Sequence, residues 1–386
     1  MTTKTIIPFF KPWTSGDELK HIAQAIKNQG EQNSSWYTEA CERRLENYTA
    51  CLKAYLTPSC TAALEMAAIL ANIQAGDEVI MASFTFPAMA NAFVLRGGIP
   101  VFVDIRPDTL NIDERLIEAA ITPRTRAIVV MHYGGVACEM DSIMTLAKRH
   151  ELLVIEDAAH AIGSTYKGRQ LGSIGHMGAL SFHKTKNLQC GEGGALLIND
   201  KGLLARAENV RQNGTDRTRF LKEQGNPYTW VDIGSSFIIN ELGSAFLWAQ
   251  LEHIDYILEQ RRKTWALYQD LLNLAPPPIE QKHNAHIFHI TTSSMLSRKM
   301  LMESLWRAGI HATSHYQPLH NAQAGQKYGK LPLPAPQTEK VAQTLLRLPL
   351  WIGLENPPVE AICTLLRQQQ QHWHQQSNYS HTRKSV

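Results

Sequence analysis

A chain of 386 residues, 44% hydrophobic and 19% charged, holds enough apolar material for a globular enzyme with one large and one smaller domain. Its formal net charge of +3, with no long basic run, gives no sign of a nucleic-acid partner. No apolar stretch approaches the roughly twenty residues of a membrane span, the start Met-Thr-Thr-Lys-Thr-Ile-Ile-Pro lacks a signal-peptide core, and the six cysteines show no metal or Cys-x-x-Cys spacing. Together these predict a soluble cytoplasmic protein without a bound metal.

The pattern predicts an amphipathic helix near 17–28, a polar turn at 32–35, a second helix near 38–48 and a short strand at 54–57. Pro58-Ser59-Cys60-Thr61 then opens an alanine-rich helix. Small and hydroxyl residues at a helix start form either an ordinary N-cap or a phosphate site, because free amide hydrogens and the helix dipole both face an anion there. Strand 79–81 leads into Ser83-Phe84-Thr85-Phe86, where an aromatic can lie on a planar ring or simply fill the core. Helix 88–96, strand 100–104, helix 112–120, strand 127–131, helix 141–150 and strand 152–155 follow. This alternation predicts a mostly parallel α/β sheet with helices on both faces. No Gly-x-Gly-x-x-Gly follows the first strand, which argues against a nicotinamide-binding unit.

Strand 152–155 runs into Glu156-Asp157-Ala158-Ala159-His160, so a carboxylate stands where a parallel sheet meets its ligands. Twenty-nine residues on, strand 178–182 ends in His183-Lys184-Thr185-Lys186-Asn187, followed by the glycine-rich stretch 191–194. A lysine shielded at such a strand end can lose its proton and bond an aldehyde. Lysine on an aldehyde carbon and aspartate on a pyridine nitrogen are the pair that pyridoxal 5'-phosphate (PLP) requires. Strand 195–199 and helix 202–211 precede a polar, glycine-rich loop at 213–234, long enough to suggest a function. Helices 240–252 and 254–272 lead to a break at Ala275-Pro276-Pro277-Pro278. Strand 286–292, helix 297–308, a short strand near 311–316 and helix 338–346 make a smaller α+β unit. His283, His286 and His289 are three apart, which on a strand points them to opposite faces and disfavours a metal site. The predicted layout is a large domain over 1–252, a small domain over 253–366 and a polar, disordered tail over 367–386.

Glu156-Asp-Ala-Ala-His160 and Ser181-Phe-His-Lys-Thr-Lys-Asn187 resemble the DegT/DnrJ/EryC1 family of sugar aminotransferases. The likeness runs from about residue 6 to 365. It implies a fold-type I PLP-dependent transferase, with Lys186 as the cofactor lysine and Asp157 on the ring nitrogen. It further implies that Ser59, Cys60, Thr61 and Ser181 hold the phosphate, and that Phe86 and His160 lie near the ring. Thr185-Lys186-Asn187 matches the family unit, which selects Lys186 over Lys184; the extra charge of Lys184, if close, is expected to lower the Lys186 pKa. Cys60 departs from the family's usual glycine. Gly234-Ser235-Ser236 stands where other members carry Gly-Tyr-Asn, so Ser236 is the remaining group able to reach a partner subunit's phosphate. His315, Tyr316 and His320 fall in a segment the family places near its sugar-nucleotide cleft. Cys190 reads as packing rather than a reactive thiol.

By the same likeness, four stretches (57–67, 90–97, 132–141 and 228–235) look specific to the branch that moves an amine from L-glutamate to a dTDP-4-keto-6-deoxyhexose. That branch makes surface polysaccharide of the enterobacterial common antigen or lipopolysaccharide type, as a homodimer with shared active sites. Competing readings are amination at C3, the gluco product at C4, or a PLP-binding sensor without turnover.

Overall fold

The computed structural model describes residues 6–29, 35–216, 229–274 and 282–382, with side chains through 369. Seven strands form the main sheet: β1 (Lys53–Thr57), β2 (Glu78–Ala82), β3 (Ile99–Val103), β4 (Thr125–Met131), β5 (Leu153–Asp157), β8 (Met177–Ser181) and β9 (Gly194–Ile198). A small hairpin of β6 (Thr165–Tyr166) and β7 (Arg169–Gln170) lies between β5 and β8 in sequence. The spatial order is β1-β9-β8-β5-β4-β2-β3. Every neighbouring pair is parallel except the two that β9 makes, with β1 and β8. The sheet is therefore the mostly parallel α/β arrangement that the alternation predicted, in the fold-type I form that the resemblance implied.

The strands are buried on both faces, which is why they read as short apolar runs without alternation. Side chains such as Ile80, Val129, Ile155 and Leu196 are fully enclosed, each contributing about 1.5–3 kcal/mol by leaving water. Helices Cys60–Leu70, Pro87–Val94 and Met140–Arg149 connect the strands. Because the six mutually parallel strands share one direction, Thr57, Ala82, Met131, Asp157 and Ser181 all end at one edge. The loops leaving that edge build the site.

A second core gathers Tyr268, Phe288, Leu301, Leu305, Ile310, Leu346, Leu348 and Ile362. It surrounds the antiparallel pair β10 (Phe288–Thr291) and β11 (Leu345–Leu348), with helices Met295–Arg307 and Pro336–Thr344 nearby. Helix Ile254–Leu272 joins both cores: Ile254, Ile257 and Leu258 lie in the first and Tyr268 in the second.

Several details differ from the sequence reading. β11 was read as the end of a helix at 338–346; the run Val341-Ala-Gln-Thr-Leu-Leu346 has helical spacing, but the chain turns extended at Leu345 to pair with β10. The strand expected near 311–316 reduces to a single bridge, Thr313 to Arg347. The N-terminal segment leaves the domain assigned to it. Ile7 bridges Ile310 and packs on the second core, which shelters its apolar side chain. Residues 367–382 of the polar tail continue helix Asn356–Thr382; their glutamines are good helix formers, and the helix's first turns, ahead of the tail, bury Val359, Ile362 and Cys363. Residues 32–34 of the predicted polar turn, most of the 213–234 loop and the proline break at 275–278 lie outside the described residues. Among the described residues no helix is long and apolar enough to cross a membrane, and no cluster of ligands suits a metal ion.

Candidate active site

A cavity of about 650 Å³ opens at the carboxyl edge of the sheet, between it and the second core. Ser59, Cys60, Thr61, Phe86, Asp157, His160, Ser181, Lys186, His315 and Tyr316 all line it. The first eight converge because each follows, or ends, a strand of common direction, and His315 and Tyr316 come to them from the segment after helix Met295–Arg307.

Ser59 is the N-cap of helix Cys60–Leu70: its Oγ accepts from Ala62 N at 3.1 Å. Capping and anion binding coexist here, since the serine's own hydroxyl hydrogen stays available and the Cys60 and Thr61 amides precede the first intrahelical bonds. Gly194, the first residue of β9, crosses directly behind this helix start. A Cβ there would lie 2.5 Å from the Ser59 carbonyl carbon, so only glycine permits the approach. Cys60 is accommodated without a bulge in the helix, and its thiol is inert: burial, then the Asp157 charge, pushes its pKa well up. Burial likewise pushes the Cys190 thiol up to about 12.

Asp157 closes β5. Its Oδ1 accepts from Ala159 N at 3.1 Å, while its other oxygen has no hydrogen-bond partner among the described residues. Burial raises its pKa, offset in part by the Ala159 amide and by Lys186. A buried carboxylate with an unused oxygen facing a cavity fits a cationic ring nitrogen. Behind it, Glu156 is fully enclosed and accepts from His132 Nε2 at 2.8 Å and from the amides of Gly172, Ile174 and Gly175 at 2.8, 2.7 and 2.6 Å. His132 Nδ1 accepts from Cys138 N, so its proton sits on Nε2 and is donated to Glu156. These bonds fix the end of β5.

Lys186 sits in a turn in which its own amide donates to His183 O at 2.8 Å. Burial lowers its pKa, Cys60 and Asp157 oppose that, and Arg347 lowers it further. Lys184 is exposed and takes no part. The expected helper charge is therefore corrected from Lys184 to Arg347: the turn at His183 carries Lys184 outward. Asn187 ties the lysine loop to the second core, donating from Nδ2 to Asn284 O at 3.0 Å and accepting from His286 Nδ1 at 2.8 Å.

Phe84 and Phe86 divide the two roles left open for them. Phe84 is buried against Tyr133 and Tyr316, whereas Phe86 is 58% exposed on the cavity wall. His160 lies 4.3 Å from the His286 ring, and burial drives both pKa values well down. Ser236 is exposed and outside this cavity, in an isolated bridge with Gln212. His320 is also outside it. Its Nδ1 meets Ser83 Oγ at 2.7 Å and its amide donates to the same oxygen at 3.1 Å, so it clamps the loop after β2 instead of facing substrate. Sequence reasoning missed Phe9, Phe10, Arg261 and Arg347 as cavity residues, while His286, from the histidine cluster read as structure or substrate cleft, lines the cavity.

The chain matches the DegT/DnrJ/EryC1/StrS aminotransferase family over residues 14–367. It belongs to that family. SpsC, a spore coat polysaccharide biosynthesis protein of Bacillus subtilis, is 30% identical over 94% of this chain and 96% of its own. An uncharacterized protein of Methanocaldococcus jannaschii is 32% identical over 83% and 86%. Among solved structures, a putative sugar aminotransferase of Streptococcus pneumoniae in its PLP form superposes with a TM-score of 0.85 at 25% identity, covering 95% of this chain and all of that one. DesV of S. venezuelae gives 0.83 at 29%, covering 94% and 98%. The family's cofactor is PLP, and the groups gathered around Lys186 and Asp157 fit it.

Proposed function

We propose that this aminotransferase moves the amino group of L-glutamate to C4 of dTDP-4-keto-6-deoxy-D-glucose, giving 2-oxoglutarate and dTDP-4-amino-4,6-dideoxy-D-galactose for a surface polysaccharide. The observation that carries the chemistry is Lys186 and Asp157 facing one cavity beside a capped helix start. The choice of sugar rests on the likeness of stretches 57–67, 90–97, 132–141 and 228–235 to that branch, and the polysaccharide role of SpsC is in keeping with it.

PLP, when bound, supplies an electron sink that makes the donor's α-hydrogen acidic. The chain's part is binding and proton handling. Ser59, Ser181 and the Cys60 and Thr61 amides would hold the phosphate, and Asp157 would keep the ring nitrogen protonated. Lys186, with its pKa lowered by burial, is a neutral amine more readily than a surface lysine and takes and returns the proton at the reacting carbon. Phe86 and His160 flank the ring. We assign Ser236 to the cavity of a second copy in a homodimer, since it is exposed and absent from its own.

Incubating the purified protein with PLP, L-glutamate and the keto sugar, and assigning the product by NMR, tests this. An axial amine at C4 is expected. An equatorial amine, or one at C3, overturns the product; an untouched sugar overturns the acceptor. A cofactor spectrum unmoved by glutamate overturns the transaminase reading and favours a sensor.

A further inference from the structure

The cavity carries an unbalanced charge that the mechanism above leaves unexplained. Its lining includes three cations, Lys186, Arg261 and Arg347, and two carboxylates, Asp157 and Glu192. Asp157 is assigned to the ring nitrogen, and Glu192 is largely exposed beside His183. Arg347, in β11, has no carboxylate among its charge partners. One Nη donates to His315 Nε2, and the guanidinium lies 4.7 Å from the Phe9 ring centre. His315 must then carry its proton on Nδ1, which meets Tyr133 Oη at 3.1 Å. Arg347 Nε is enclosed and has no acceptor among the described residues. Arg261, close enough for its charge to be felt, points two nitrogens at the Ala285 and His286 carbonyls, 3.1 and 2.9 Å away, and likewise lacks a carboxylate. Two guanidiniums lining one cavity, neither with a carboxylate partner among the described residues, mark a place where an anion binds.

With one Nη fixed by His315 and Nε enclosed, the other Nη is the part of the guanidinium left to meet an anionic oxygen in the cavity. The helix start at Ser59 is already assigned to the cofactor's phosphate. Resting on the glutamate-dependent reading above, we propose that Arg347 is the residue that anchors a carboxylate of the amino donor, oriented by His315 and Tyr133.

Glutarate, a dicarboxylate with no amine to react, is the probe. Its affinity for the PLP-loaded protein is measured by calorimetry for the wild type, Arg347→Gln and Arg347→Lys, with dTDP as the nucleotide control. Arg347→Gln is expected to weaken glutarate, and the glutamate-driven change of the cofactor spectrum, by roughly 30-fold or more, with dTDP affinity kept. Arg347→Lys keeps charge without the guanidinium's second Nη or its bond to His315 and should fall between; it also carries the test if the glutamine variant does not fold. Unchanged glutarate binding overturns the proposal. So does a loss confined to dTDP, which makes this a diphosphate site, or a loss of PLP stoichiometry in folded variants, which makes it a cofactor group. Because glutarate binding is read without turnover, it stands apart from the test of the sugar reaction.

Discussion

Replacing Glu156 by Gln isolates the support behind Asp157. The carboxylate accepts four hydrogen bonds, two on each oxygen: Ile174 and Gly175 amides on Oε1, His132 Nε2 and the Gly172 amide on Oε2. Glutamine keeps one oxygen and turns the other into an NH₂ group, so two enclosed donors meet a donor. At about 1.5–3 kcal/mol for each hydrogen bond to a charged group, the loss is roughly 3–6 kcal/mol. For a chain of this length that lowers the thermal midpoint by about 4–7 °C. The pH dependence supplies an internal check. Burial alone would raise the Glu156 pKa, but His132 and the backbone amides hold it below the ordinary 4.5. A depressed carboxylate stabilises the fold above its unfolded value and loses that contribution as pH falls through the folded one. The gap between wild type and Glu156→Gln should therefore be full at pH 7 and narrow below about pH 4.5. Thermal unfolding followed by circular dichroism at several pH values measures both. A gap under about 1 kcal/mol at pH 7, or one that stays constant into acid, would refute the reasoning.

Lys186→Ala should abolish turnover, and borohydride reduction of the loaded wild type should leave PLP on the Lys186 peptide by mass spectrometry; label on Lys184 would contradict the assignment. Gly194→Ala forces a methyl against the Ser59–Cys60 backbone, so PLP affinity should fall roughly tenfold with about 1–3 kcal/mol of stability, read by fluorescence titration and thermal melts. His320→Ala removes the clamp on Ser83 and should lower stability by about 1–2 kcal/mol while leaving the KM for either substrate within about twofold. A large KM change for the sugar would restore His320 to the substrate cleft.

Lys186 and Asp157 were legible because the chemistry of each is carried by a contiguous stretch at the end of an apolar strand. Ser59 to Thr61 were legible for a related reason, since a helix start advertises itself through small and hydroxyl residues. Arg347 was hidden. It lies in a strand whose residues continue the spacing of the preceding helix, and pairing with β10, more than fifty residues away, decides the outcome. Arg261 and Phe9 reach the cavity only through the packing of the second core, which no local pattern encodes. Lys184 and His320 show the opposite. Each lies within four residues of a cavity residue, His183 or Tyr316, and a tight turn, at His183 or at Leu319–Asn321, sends it elsewhere.

The reversed direction of β9 also bears on the order in which this protein can assemble. β8 and β9 are joined by a short link and can pair soon after both have been synthesised. β1 has no such neighbour: Lys53 pairs with Ile198 and Thr57 with Gly194, so this edge of the sheet waits for a segment about 140 residues downstream. The lysine-bearing hairpin can thus exist before the helix start at Ser59 is fixed against it. The two sides of the candidate site thus depend on contacts of very different sequence separation, one local and one distant.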